Sequence, residues 1–156
     1  MSFWSAPTDR QLMECFAAYH VAEHARLRWR VECINTLIGA VNQLPPAADT
    51  TPLLNAAWAA LELDDVQPSG PLRPADALEV LRPVAASFMV DLDRYVPGFY
   101  DPAEASLLRG MSEYAVLEKI RGYHRSLEIL ESKSAELARR ITHVLRSYPK
   151  SPLSRL

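Results

Sequence analysis

Residues 116–148, VLEKIRGYHRSLEILESKSAELARRITHVLRSY, decide the fold. Their apolar positions step by four and three: Val116, Ile120, Tyr123, Leu127, Leu130, then Ser134, Leu137, Ile141, Val144 and Tyr148. That rhythm keeps one stripe on one face of a helix over many turns, the pattern of a seam that packs against other helices. A seam this long needs a surface to bury it, from the same chain or from a second copy. Leu117, Ala138 and Leu145 widen the stripe beyond that of a two-stranded coiled coil, which favours a globular bundle. Ser134 is the one polar residue in the seam, where it either fills a tight place or penalises wrong alignments.

Further helices precede it. Thr8-Asp9-Arg10-Gln11 is a capping-box pattern: the Thr8 hydroxyl can accept from a free backbone amide while Gln11 reaches back. A second stripe follows, Met13, Ala17, His20, His24, Leu27, Val31, Ile34, Ile38 and Val41, until Pro45-Pro46 ends the helix. Thr51 can cap a short helix with Pro52 at its first position and Leu53, Leu54, Ala57, Trp58 and Leu61 on its apolar face. The prolines, glycine and adjacent acids between Glu62 and Pro74 predict a surface loop. A third helical region runs from Pro74 to about Val96. Pro83 lacks an amide donor and crowds the preceding turn, so a kink or two short helices are expected there. Asp101-Pro102-Ala103-Glu104 supplies a cap, a first-turn proline and a first-turn acid for the last helix, which would run to Pro149. Gly110 and Gly122 each weaken that helix by about 1 kcal/mol relative to alanine.

The reading is an all-α, antiparallel bundle of four to five helices, with long first and last helices and shorter, proline-broken helices between. Compact connections make neighbouring helices antiparallel. Residues 1–148 form a single helical-bundle domain and 149–156 a C-terminal tail. Phe3 and Trp4, ahead of the first cap, are expected to fold back onto the bundle.

The net charge of −2 argues against non-specific binding to nucleic acid or to an anionic membrane. The densest apolar run, Val84 to Val90, is far too short to span a bilayer, and Met1–Pro7 lacks the layout of a secretory signal. Charge is uneven: acids dominate between Asp49 and Glu104, bases from Lys119 onward, an arrangement expected to reflect contact between the two stretches in the fold. Cys15 and Cys33 fall in one helix roughly 27 Å apart, too far to bridge within a chain. Free thiols in a compact domain favour a reducing, cytoplasmic setting. The terminal Ser154-Arg155-Leu156 resembles a peroxisomal address, which gives the peroxisomal matrix as an alternative in a eukaryote.

His20-Val21-Ala22-Glu23-His24 is the sharpest chemical candidate. Histidines at i and i+4 project from one helix face, as zinc or another divalent metal requires, and Glu23 could act as a general base. His143 would be the third ligand if the first and last helices run antiparallel. The alternative is that both histidines are core groups partnered by a carbonyl or carboxylate. Arg26-Leu27-Arg28-Trp29-Arg30 mixes bases with an aromatic, yet its bases point in different directions. Glu23 and Glu32 stand one turn from Arg26 and Arg28, which predicts a solvated, ion-paired face rather than a nucleic-acid site. Phosphate loops, Cys-x-x-Cys pairs and nucleophile elbows are absent.

Long seams with few catalytic groups point to a non-catalytic protein–protein interaction module without a cofactor: an adaptor, assembly subunit, regulator or toxin/defence antagonist. It would bury its seams against itself, in a homo-oligomer, or against a protein partner. The alternative is a metal-dependent hydrolase or metal-binding protein built on His20, Glu23 and His24.

Overall fold

The computed structural model describes residues 5–61, 70–96 and 102–148. Five helices follow in order: α1 (Asp9–Asn42), α2 (Thr51–Leu61), α3 (Pro74–Arg94), α4 (Pro102–Arg109) and α5 (Glu113–Ser147). No strand occurs among the described residues. The fold is an all-α bundle. Phe3, Trp4, most of the loop after α2 and the expected tail with Ser154-Arg155-Leu156 lie outside the described residues.

The chain packs into two compact units, Met1–Leu27 with Arg94–Glu131, and Arg28–Asp93 with Ser132–Leu156, so α1 and α5 each contribute to both. In the first unit the capping box forms as read: Gln11 N donates to Thr8 Oγ1 at 3.1 Å, and Thr8 N donates to Gln11 Oε1 at 2.8 Å. Leu12, Cys15 and Phe16 of α1 then bury against Leu108 of α4 and Val116 of α5. Here the α1 stripe departs from the expected one. Met13 is 62% exposed and Ala17 is also exposed, whereas Leu12 and Phe16 are buried. Both rows are apolar in sequence, and the position of α4 decides which one is covered.

The start of α1 lies beside the start of α5. Glu113 N donates to Ser5 O at 2.7 Å, Gln11 Nε2 donates to Glu113 Oε1 at 2.7 Å, and Tyr19 meets Tyr123 edge-on. The two long helices therefore run in the same direction in this unit. The short-connection argument for antiparallel neighbours applies to helices adjacent in sequence, and three helices separate α1 from α5.

The second unit holds the larger core. Val31, Ile34, Leu37 and Val41 of α1 pack with Leu53, Leu54, Ala57 and Trp58 of α2, Ala77, Leu81 and Phe88 of α3, and Leu137 and Ile141 of α5. Here α2 runs against α5 and α3 runs against α1, while α2 and α3, neighbours in sequence, start side by side and run in the same direction, contrary to the antiparallel expectation for neighbours. The Tyr148 hydroxyl donates to the carbonyl of Asp49, ahead of α2, while Ala60 near the end of α2 shares a groove with Lys133. Phe88, late in α3, lies under the Arg30 guanidinium at 4.0 Å, and Thr50, after the end of α1, bonds to the Leu72 carbonyl just before α3.

Two boundaries differ from the sequence reading. Thr50, not Thr51, occupies the cap position of α2: its carbonyl accepts from Leu54 N, and its buried hydroxyl donates to Leu72 O. The last helix is two helices. Gly110 N turns back onto the Ser106 and Leu107 carbonyls, and the Ser112 hydroxyl accepts from Ala115 N at 3.2 Å, capping α5 afresh. Pro83, by contrast, does not divide α3, which is helical throughout. Pro83 and Glu79 are both exposed, so the carbonyl deprived of its donor faces water.

Candidate functional site

In the first unit two histidines and a further tyrosine cluster around Tyr95, the residue that follows α3. The Tyr95 hydroxyl donates to the His20 carbonyl at 3.2 Å and shares a 2.5 Å hydrogen bond with His20 Nδ1. His24 stacks on the same tyrosine, ring centroids 5.8 Å apart and planes 19° apart. Tyr19 stands edge-on to His20 at 5.4 Å and to Tyr123 at 5.5 Å, so the rings continue from α1 to α5. An i, i+3, i+4 spacing on α1 places Phe16, Tyr19 and His20 on this side.

Two cavities flank the ring cluster. One, of 490 Å³, is lined by Phe16, Tyr19, His20, Arg94, Tyr95, Val96 and Glu104. The other, of 270 Å³, is lined by Cys15, Phe16, Tyr19, Glu104, Leu107, Leu108, Met111, Lys119 and Tyr123. Phe16, Tyr19 and Glu104 belong to both. The first turn of α4 places Glu104 there, and its charge is felt by its neighbours. Burial, then the charges of Glu23 and Glu104, pushes the Tyr19 hydroxyl above its ordinary range. Burial pushes the Tyr123 hydroxyl and the Cys15 thiol up as well; Lys119 partly offsets the rise at Cys15. Tyr95 is raised by burial first, then by Tyr19 and Glu23.

The metal-ligand candidates are distributed as follows. His20 and His24 come together, joined through Tyr95. The Glu23 carboxylate is held by Arg26 through bonds of 2.7 and 3.1 Å. His143 belongs to the second unit, where it lines a 580 Å³ groove with Ala56, Glu136, Arg139, Arg140 and Val144. The reasoning that would bring His143 to His20 needed α5 to run against α1, and the two start side by side. Among the described residues, no group of three or more His, Cys, Asp and Glu could hold a metal ion. The His20 ring nitrogen thus has a phenol as its hydrogen-bond partner, and His24 stacks on the same phenol ring.

The α5 seam supplies core to its own chain. Val116, Leu137 and Ile141 are buried, and Ile120, Tyr123, Leu127, Leu130, Val144 and Tyr148 are half-buried. Ser134 is exposed and fills no tight place. The bases of the 26–30 segment are occupied: Arg26 on Glu23, Arg28 on Glu32 at 3.7 Å, and Arg30 over Phe88. Sequence reasoning passed over Tyr95, Arg94 and Glu104, which it had assigned only to a helix end and a helix start. The one available signal was the aromatic pair Phe16 and Tyr19 beside His20.

No described helix is long and apolar enough to cross a membrane. Compared with known families, curated proteins and solved structures, the chain matches none of them.

Proposed function

We propose that the protein is a non-catalytic helical interaction module, an assembly subunit or adaptor, whose partner is a second copy of itself. The observation that supports this is an uncovered apolar row on α1. Met13 is 62% exposed, Val21 is 57% exposed, and the exposed Ala17 lies midway between them. Steps of four residues keep these positions on one side of the helix. A two-fold axis through Ala17 would set Met13 of one copy against Val21 of the other, twice, with the small alanine allowing close approach. The α5 seam supplies core to its own chain, whereas the α1 row leaves Met13 and Val21 uncovered on one helix face. The contact is small, so the dimer is weak and concentration-dependent. The buried free thiols Cys15 and Cys33 support a reducing, cytoplasmic setting.

Light scattering on size-fractionated protein over a range of concentrations tests the proposal. The wild type should rise from monomer toward dimer mass, and a Met13→Glu/Val21→Glu variant should remain monomeric with unchanged helicity. A wild type that stays monomeric at the highest attainable concentration would falsify it.

A further inference from the structure

The 490 Å³ cavity of the first unit has the size and aromatic lining of a small-molecule site. The aromatic residues Phe16, Tyr19 and Tyr95 line it, together with Arg94 at the end of α3 and Glu104 in the first turn of α4. Among the described residues, neither of these two charged groups has an ion-pair or hydrogen-bond partner, and they do not pair with each other across the cavity they both line. Elsewhere in this unit Glu23 binds Arg26 and Glu118 binds Arg121 at 2.6 Å, so neighbouring opposite charges do find one another where geometry allows. A cavity with unpaired charges of both signs is complementary to a molecule that carries both. Aromatic faces between them favour a flat ring and also stabilise an adjacent ammonium.

We infer that this cavity binds a zwitterionic aromatic metabolite of the amino-acid type, its carboxylate on Arg94, its ammonium on Glu104 and its ring among Phe16, Tyr19 and Tyr95. A guanidinium can take a carboxylate through two parallel bonds, which fixes that end of the ligand. Glu104 then selects for the amine. The site is separate from the α1 row at Met13 and Val21, so its occupancy does not depend on self-association.

Isothermal titration with L-phenylalanine, phenethylamine and 3-phenylpropionate tests the assignment, because the last two each lack one charge. Phenylalanine should bind, and each analogue should bind at least about tenfold more weakly, as loss of one charge-assisted bond implies. Arg94→Gln should erase the advantage of phenylalanine over phenethylamine while keeping its advantage over phenylpropionate. Glu104→Gln should do the reverse. Both residues are exposed, so the variants should fold, which circular dichroism verifies. Absence of phenylalanine binding to the wild type, or the same loss for all three compounds in both variants, would overturn the assignment.

Discussion

The Tyr95 hydroxyl meets His20 twice, at ring Nδ1 and at the backbone carbonyl, and so ties the chain leaving α3 to the middle of α1's first half. A phenol in this position does what a carboxylate or carbonyl would do for a helix-borne histidine: it fixes the ring's orientation and occupies one of its nitrogens.

Tyr95→Phe keeps the ring that stacks on His24 and removes only the hydroxyl. The variant should lose about 1 kcal/mol, the ordinary net value of an intramolecular hydrogen bond. Urea denaturation measures this. Imidazole nitrogen shifts should change at His20 and stay nearly constant at His24; equal changes at both rings would contradict the assigned bonding.

The Gly110–Ser112 break makes a second local prediction. Ser112→Ala removes the hydroxyl that accepts from Ala115 N and should cost about 1 kcal/mol, as loss of a helix cap does. Gly110→Ala should be tolerated, because an added Cβ would meet the Leu107 carbonyl oxygen at an ordinary 3.5 Å. Thermal melts of the two variants give the comparison, and a larger loss for Gly110→Ala would reverse the assignment of what ends α4.

Protection against amide hydrogen exchange should differ between the units. The cluster around Ile34, Leu37, Leu53, Leu54 and Leu81 has many fully buried members, while the cluster around Leu12, Cys15, Phe16, Leu108 and Val116 has few. Amides of 31–41, 53–61 and 77–88 should therefore exchange slowest, and those of 102–109 fastest among the helices. Uniform protection across all five helices would show that the chain opens only globally.

What the sequence revealed follows the range of the interaction involved. The Thr8/Gln11 box was legible because both partners lie within one turn. The α5 stripe was legible because it extends over many turns. The break at Gly110 was missed although Ser112 carries a cap signal, since the seam that begins at Val116 was extended back to Pro102. The covered face of α1 was read from Met13 and Ala17 rather than Leu12 and Phe16, a choice that only the placement of α4 could settle. Tyr95 meets His20 from 75 residues away, and no pattern within either segment announces it.

Alkaline pH should unfold the protein early. Burial pushes the Cys33 thiol from 9.0 up to about 12. The folded state therefore keeps this proton after the unfolded chain has released it. That contribution to stability is complete below pH 9 and is lost as pH rises from 9 toward 12, by about 1 kcal/mol for each pH unit in that window. Tyr19, Tyr95, Tyr123, Tyr148 and Cys15 are all raised by burial and act in the same direction. Urea midpoints should be flat from pH 7 to 8.5 and fall steadily above it. Cys33→Ala should be less stable at neutral pH, through the volume it removes from the core, yet show a shallower alkaline slope. Both thiols should resist a thiol-specific reagent at pH 7.5 until denaturant is added, because Cys15 is 2% and Cys33 5% exposed. An unchanged slope in Cys33→Ala would show that the tyrosines alone set the alkaline limit.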